Sequence, residues 1–126
     1  MKTILILGGY GQTGRLLANT LLDETDCRLI VAGRRPERGA ALAAALNARA
    51  GQERVTTAQA DASDPAGLIR ALTGVDLVLV AASTAAHCET VARAALAAGC
   101  DYLDIQYATA KVATLQRLAP EIERAG

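Results

Sequence analysis

The sequence predicts an α/β protein in which a doubly wound parallel sheet of about five strands lies between two layers of helices. Short apolar runs alternate with segments of helical spacing along the whole chain. Strict alternation with short connections specifies parallel strands and right-handed crossovers. The length of 126 residues fits one domain and is about half of what an eight-unit barrel needs. We therefore expect one open, three-layer α/β/α domain over residues 1–126.

The first half of the chain contains three predicted strands and two predicted helices. The first two strands are continuous aliphatic runs, as expected for strands buried on both faces, whereas the third is less apolar. The first helix has leucines at helical spacing, and the second is rich in alanine and is followed by Gly51, a residue that commonly ends helices. In chain order the five elements are Thr3–Gly8, Gln12–Glu24, Arg28–Gly33, Arg38–Ala50 and Arg54–Gln59.

The second half continues the alternation with three helices and two strands. Asp64 is placed to cap a helix that has Pro65 at its first position. Gly74 and Gly99 end the first two of these helices, and Ser83 or Thr84 is the expected cap of the second. In chain order the five elements are Pro65–Thr73, Val75–Ala81, Thr84–Ala98, Asp101–Ile105 and Thr109–Arg124.

Composition and charge exclude several classes of function. The 13 basic residues balance 13 acidic residues, and Trp and Phe are absent. A neutral chain has no field to attract nucleic acid or an anionic membrane surface, and this chain lacks the aromatic platforms of single-strand binders. It also lacks the run of about 18 apolar residues that predicts a transmembrane helix. We therefore expect small-molecule partners, with no nucleic acid and no membrane.

The cysteines indicate neither disulfides nor a metal site. Cys27, Cys88 and Cys100 are odd in number and widely spaced, and the chain has one histidine. Structural and catalytic metal sites need ligands at characteristic short spacings, which are missing here. We therefore expect reduced and mostly buried thiols, a cytoplasmic location and no metal ligands.

A glycine-rich segment follows the first strand and opens the first helix. The segment Gly9-Tyr10-Gly11-Gln12-Thr13-Gly14 matches the G-x-G-x-x-G pattern of dinucleotide-binding Rossmann folds. Gly9 permits the tight turn, Gly11 lets a pyrophosphate approach the backbone, and Gly14 allows close packing of helix and strand. The free N–H groups of the helix N-terminus favour phosphate. The predicted phosphate-binding residues are Gly8, Gly9, Gly11, Gln12, Thr13 and Gly14.

The end of the second strand predicts which dinucleotide is bound. NAD-binding proteins usually place a carboxylate about 20 residues beyond the loop, where this chain has Arg34. An arginine holds a 2′-phosphate, and Gly33 leaves room for it. We therefore predict that Gly33, Arg34 and Arg35 bind NADP. NAD remains the alternative, because an arginine in this position also stacks on adenine.

Two further strand ends are predicted to line the ligand crevice, which lies at the carboxyl ends of the strands. Asp61 and Ala62 follow the third strand, and Asp61 is placed either to accept the adenine amino group or to cap the next helix. Ala81, Ala82 and Ser83 end the fourth strand, where small residues let the ribose and nicotinamide lie against the backbone. Helix capping is the alternative role of Ser83.

No residue forms a convincing acid/base constellation. His87, the only histidine, is next to Cys88 on a predicted helix, where adjacent side chains point about 100° apart. A surface or packing role for His87 is therefore favoured over catalysis. Tyr102 and Asp104 alternate to the same face of the last strand. Asp104 and Tyr107 are placed to line the cofactor cleft, and we assign no catalytic residue.

Five segments of the sequence together match one known family. They are Ile6–Arg15, Val31–Arg34, Asp61–Asp64, Val75–Leu79 and Ala98–Asp104. With these segments the chain resembles the N-terminal NADP-binding domain of the saccharopine dehydrogenase family over essentially its whole length. The last segment, with its Gly-x-x-Tyr-x-Asp pattern, is the most specific. The glycine loop alone is also typical of extended short-chain dehydrogenases and related redox sensors.

The resemblance implies an oxidoreductase that transfers hydride to or from an amine or imine. It also implies that Gly9, Gly11, Gly14, Arg34 and Asp61 bind the cofactor. Family members have a second, substrate-binding domain and continue into a sixth strand, so the resemblance implies that residues 1–126 are an N-terminal fragment that is inactive alone. A redox-sensing regulator without catalysis is the alternative, followed by a mononucleotide-binding or transferase module. An exposed apolar sheet edge would favour a homodimer.

Overall fold

Five strands and five helices alternate along the chain, as the sequence predicts. The structure, a computed structural model, describes residues 2–8, 11–81, 87–104 and 109–125. The strands are β1 (Thr3–Leu7), β2 (Arg28–Gly33), β3 (Val55–Gln59), β4 (Leu77–Val80) and β5 (Asp101–Asp104). The helices are α1 (Gln12–Glu24), α2 (Pro36–Ala50), α3 (Pro65–Leu72), α4 (Cys88–Ala98) and α5 (Thr109–Ala125).

The strands form one parallel sheet in the order β3-β2-β1-β4-β5. Leu5 in β1 is in register with Ile30 in β2 on one side and with Val78 in β4 on the other. The chain therefore moves outward from β1 to β3, crosses over, and moves outward again from β4 to β5. This reversal next to β1 is the topological switch point at which doubly wound sheets bind their ligands. The predicted Rossmann-type fold is confirmed.

Alternate side chains of the strands supply two separate cores. Ile6, Val31 and Leu79 pack on one face of the sheet with residues of α1 and α2. Leu5 and Val78 pack on the opposite face with residues of α3 and α4. Because successive strand residues point to opposite faces, β1, β2 and β4 contribute to both cores and are aliphatic after the first residues of β1 and β2. Helix α5 lies beside α4 and completes the three layers.

Most predicted helix ends are confirmed, and two helix starts differ. Asp64 caps α3 by accepting a hydrogen bond from the amide of Gly67 at 3.2 Å. Gly51 and Gly99 end α2 and α4 in the left-handed conformation, with φ of 71° and 69°. Helix α2 begins at Pro36, two residues before the predicted start, because proline at the first helical position needs no amide partner.

The second difference concerns α4, which begins at Cys88 with His87 at its N-cap position. The predicted start at Thr84 and the predicted cap Ser83 lie outside the described residues. Strand β4 is also shorter than predicted, because Val75 and Asp76 form the connection from α3. No helix in the described part of the chain is long and apolar enough to cross a membrane.

Candidate cofactor-binding site

The carboxyl ends of four strands meet along one edge of the sheet, called the carboxyl edge below. The Gly8 amide at the end of β1 donates to the carbonyl of Ala32 in β2 at 2.8 Å. On the other side, the Ala81 amide after β4 donates to Leu7 at 2.9 Å. The Ala60 amide after β3 donates to Gly33 at 2.9 Å. The structure therefore places the predicted glycine loop and the predicted strand-end residues side by side along the carboxyl edge.

The glycine loop turns sharply at this edge. Gly8 has a φ of 82°, which favours glycine, and its carbonyl accepts a hydrogen bond from the amide of Gly11 at 3.0 Å. A Cβ on Gly11 would lie 3.3 Å from that same carbonyl oxygen. Gly14 is buried in α1, as its predicted packing role requires. Gly9 lies outside the described residues.

Helix α1 begins at this loop with Gly11 as its N-cap. No side chain of the described residues caps its first turn, and that turn contains no acidic residue. The amides of Gln12, Thr13 and Gly14 belong to the group that has no partner within a helix. In α3, by contrast, Asp64 supplies such a partner. The start of α1 therefore presents N–H donors and a positive partial charge, which suit a phosphate group.

Arginines gather where β2 passes into α2. Arg34 and Arg35 are exposed at the carboxyl edge, next to the buried Gly33, and Arg35 is the N-cap of α2. Arg38, which the sequence interpretation did not include, is exposed in the first turn of the same helix. Arg38 follows Arg35 by three residues and Arg34 by four, and this spacing was the sequence signal that could have placed it near them. Cations are unfavourable at a helix N-terminus; Glu37 in the same turn offsets part of this positive charge, and a bound anion would offset more of it.

Asp61 lies on the same edge and is held by a local turn. Its Oδ1 accepts hydrogen bonds from the Ser63 amide at 2.9 Å and from the Ser63 hydroxyl at 2.7 Å. These two bonds lower the pKa of Asp61, and the charges of Arg34 and His87 lower it further against the opposing effect of burial. The local turn gives Asp61 a structural role, and the parallel pairing of β2 with β3 places the strand ends that precede Arg34 and Asp61 side by side.

A cleft of about 570 Å³ opens beside Asp61, between the end of β3 and helix α3. Its volume is in the range of small-molecule sites, which is about 300–1,000 Å³. Asp61, Asp64 and Arg70 contribute its charged side chains, and Ala58 and Ala71 contribute apolar surface. At the end of β4, Ala81 is buried, and the predicted site residues Ala82 and Ser83 lie outside the described residues.

A second polar cluster lies where β5 ends and α4 begins. The Tyr102 hydroxyl donates to Asp104 Oδ2 at 2.9 Å, and Cys88 Sγ lies 3.7 Å from the Tyr102 oxygen. Burial, followed by the hydrogen bonds with Cys88 and Asp104, raises the pKa of Tyr102 far above its ordinary value. His87 is exposed whereas Cys88 is only 1% exposed, so these neighbours point apart as expected for adjacent residues near a helix start.

The described residues contain no group of three or more His, Cys, Asp or Glu side chains that could hold a metal ion. The sequence does contain one signal that the assignment of catalytic residues left out. Tyr107 and Lys111 are separated by three residues, which is the Tyr-x-x-x-Lys spacing of the catalytic pair in short-chain dehydrogenases. Tyr107 and the side chain of Lys111 lie outside the described part of the structure.

The sequence matches the family described as the saccharopine dehydrogenase NADP binding domain over residues 4–126. The chain belongs to this family. Its cofactor is accordingly NADP, as Arg34 in place of a carboxylate predicts, and the chain is an NADP-binding domain of saccharopine dehydrogenase-like oxidoreductases. No curated protein matches this NADP-binding domain.

Solved structures confirm the fold of this NADP-binding domain. The apo, L-Glu-forming saccharopine dehydrogenase from Saccharomyces cerevisiae is 26% identical with a TM-score of 0.77. The match covers 100% of this chain and 26% of the yeast chain. A short-chain dehydrogenase/reductase from Veillonella parvula in complex with NADP is 22% identical with a TM-score of 0.67, covering 98% of this chain and 64% of that chain.

Proposed function

We propose that residues 1–126 are the NADP(H)-binding domain of a longer oxidoreductase that transfers hydride to or from an amine or imine. The observation that carries this proposal is the pairing of the start of α1 behind Gly11, which no described side chain caps, with exposed arginines at the end of β2. The first feature suits a pyrophosphate and the second suits a 2′-phosphate, which are the two phosphate groups of NADP. Both lie on the carboxyl edge next to the switch point.

The pyrophosphate would lie against the glycine loop. Gly8 and Gly11 hold the loop in a tight turn, and Gly11 and the predicted Gly9 offer backbone without side chains. The first-turn amides of α1, from Gln12, Thr13 and Gly14, would then donate to the phosphate oxygens. A Cβ at Gly11 would occupy the side of the loop that the phosphate approaches.

The adenosine half of the cofactor would lie over β2 and β3. Arg34 and Arg35, with Arg38 one turn later, would surround the 2′-phosphate, and the buried Gly33 keeps the strand end free of a side chain. Asp61 and Ala62 would lie beside the adenine. Hydrogen bonds to a charged group contribute about 1.5–3 kcal/mol each, so one arginine–phosphate contact corresponds to roughly a 10- to 150-fold preference for NADPH over NADH.

The nicotinamide half would extend over the end of β4, along Ala81, Ala82 and Ser83. The bound cofactor would donate or accept the hydride, and this chain would bind and orient the cofactor. Hydride transfer also needs an oriented substrate. We propose that a further domain of the full-length enzyme supplies the substrate site and that residues 1–126 alone bind cofactor without catalysis. The 26% coverage of the yeast enzyme supports this division. The three free cysteines support a cytoplasmic location.

The test is a calorimetric titration of the purified chain with NADPH and with NADH, followed by competition with 2′,5′-ADP and with 5′-AMP. We expect NADPH to bind more tightly than NADH, and 2′,5′-ADP to compete better than 5′-AMP, because the arginines contact the 2′-phosphate. Tighter NADH binding would contradict the arginine assignment. Binding of neither dinucleotide would contradict the proposed function.

A further inference from the structure

The cluster of Cys88, Tyr102 and Asp104 joins helix α4 to strand β5 and has no part in the cofactor contacts proposed above. Cys88 is the first residue of α4, and Tyr102 and Asp104 are alternate residues of β5. The Tyr102 hydroxyl is 2.9 Å from Asp104 Oδ2 and 3.7 Å from Cys88 Sγ. The three side chains therefore form a continuous chain across the boundary between a helix and the sheet.

The chemistry of the three groups fixes the direction of this chain. An ionised carboxylate only accepts hydrogen bonds, so the Tyr102 O–H donates to Asp104. The Tyr102 oxygen is then left to accept, and the Cys88 S–H is the donor to it. Burial raises the pKa of Tyr102, which keeps the phenol protonated and available as a donor. Tyr102 thus holds the negative charge of Asp104 in one position.

That charge lies at the carboxyl edge. Asp104 is the last residue of β5, and its register partner is Val80, the last residue of β4. Arg34 and Asp61 lie beyond β1 on the opposite side of the switch point, just after the ends of β2 and β3. If the adenosine half of the cofactor lies there, the nicotinamide half extends toward β4 and β5. Asp104 is then the fixed carboxylate at the nicotinamide end of the site.

We propose that Asp104, positioned by Tyr102, sets the redox-state preference of the bound cofactor in favour of NADP⁺ over NADPH. This inference rests on the proposed function. The nicotinamide ring carries a positive charge in NADP⁺ and none in NADPH, whereas the rest of the molecule is the same. A fixed negative charge near the ring therefore stabilises the oxidised form selectively. Removing it should raise the ratio of the NADP⁺ to the NADPH dissociation constant about fivefold, an effect of about 1 kcal/mol.

The experiment measures both dissociation constants by calorimetry for the wild-type chain and for Asp104→Asn. Asp101→Asn is the matched control, because Asp101 is an exposed carboxylate at the opposite end of the same strand. We expect the ratio to rise about fivefold in Asp104→Asn and to stay at the wild-type value in Asp101→Asn. Tyr102→Phe should shift the ratio in the same direction as Asp104→Asn by a smaller factor, because the carboxylate keeps its charge and loses its fixed position.

The ratio of the NADP⁺ to the NADPH dissociation constant distinguishes a charge effect of Asp104 from a merely structural role. A variant that damages the site in general weakens both forms equally, so an unchanged ratio in Asp104→Asn would overturn the proposal. An equal shift in Asp101→Asn would also overturn it, because the effect would then come from net charge alone. Asp104→Ser is measured in parallel and replaces Asp104→Asn if circular dichroism shows the latter to be unfolded. Wild-type chain that binds neither form would instead contradict the proposed function itself.

Discussion

The guanidinium of Arg54 lies 2.6 Å from the carbonyl oxygen of Thr25, although the two residues are 29 positions apart. The same guanidinium donates to the carbonyl of Leu22 at 3.0 Å and to that of Cys27 at 3.0 and 3.3 Å. These carbonyls belong to the end of α1 and to the connection that leads into β2. One side chain at the start of β3 therefore satisfies acceptors that a helix C-terminus leaves without partners.

Replacing Arg54 should destabilise the fold. Arg54→Met keeps much of the apolar stem but leaves three carbonyls without their charged donor. Because these bonds are part-buried, we expect the free energy of unfolding to decrease by about 2–3 kcal/mol and Tm to decrease by about 10 °C, measured by urea and thermal unfolding. Arg49→Met is the control, since Arg49 forms an exposed ion pair with Asp23, and such pairs contribute at most about 1 kcal/mol. Equal losses in the two variants would contradict this role of Arg54.

A side chain at Gly11 should abolish cofactor binding and leave the fold intact. The backbone of Gly11 has φ −73° and ψ 173°, which valine adopts readily, but its Cβ would lie 3.3 Å from the Gly8 carbonyl oxygen, so Gly11→Val should lower stability by about 1–2 kcal/mol and still fold. The new side chain would stand where the pyrophosphate approaches, and we expect binding of NADPH and NADH to be lost in calorimetry.

Gly51→Ala is the control for Gly11→Val, because it should lower stability and leave cofactor binding unchanged. Gly51 has a φ of 71° in open space at the end of α2, so alanine there should cost about 1–2 kcal/mol of stability without affecting binding. Retention of dinucleotide affinity in Gly11→Val would show that the loop does not hold the pyrophosphate.

Arg34 should discriminate between the two dinucleotides. In Arg34→Gln we expect NADPH affinity to decrease roughly 10- to 150-fold while NADH affinity changes little, because only NADPH carries the 2′-phosphate. Arg28→Gln is the control, since Arg28 is exposed at the amino end of the same strand and far from the carboxyl edge. If Arg34→Gln weakens both dinucleotides to the same degree, the 2′-phosphate lies elsewhere.

The elements that the sequence predicts well are those with local signals. The parallel order follows from alternation and short connections, and the caps at Asp64, Gly51 and Gly99 follow from the residue types that these positions require. The G-x-G-x-x-G pattern places Gly11 at the start of α1 for the same reason. Pro36 carried a local signal as well, because proline is frequent at the first position of a helix, and the predicted start of α2 did not use it.

Other features depend on contacts between distant segments. The role of Arg54 needs carbonyls from residues 27 to 32 positions away, and nothing in the local pattern of β3 marks them. Alternation predicts that Tyr102 and Asp104 share a face, whereas the contact with Cys88 depends on how α4 packs on β5.

The outer strand β5 predicts a weak homodimer of residues 1–126 when they are separated from the longer enzyme proposed above. Leu103 is 49% exposed on this strand, and the sheet continues no further in the described residues. In an antiparallel two-fold pairing of β5, Asp101 would face Asp104 of the second copy, and like charges oppose such pairing. We therefore expect dimerisation to strengthen with salt and to be abolished in Leu103→Lys, measured by sedimentation equilibrium. A monomeric mass at high protein concentration and high salt would contradict the prediction.

The contact between α4 and α5 should weaken in acid. Glu89 accepts a hydrogen bond from Arg117 at 2.8 Å and pairs with Arg93, and the Arg117 bond holds the pKa of Glu89 below its ordinary value of 4.5. A carboxyl whose pKa is lower in the folded state stabilises the fold fully above its unfolded pKa and loses this effect as the pH falls through the folded pKa. Glu89→Gln should therefore be less stable than wild type at pH 7, with the difference disappearing as the pH falls through the lowered pKa of Glu89, and also in about 1 M salt. Urea unfolding checks this, with Glu123→Gln on the exposed surface of α5 as the control. A difference between Glu89→Gln and wild type that persists at low pH would show that packing, not charge, is responsible.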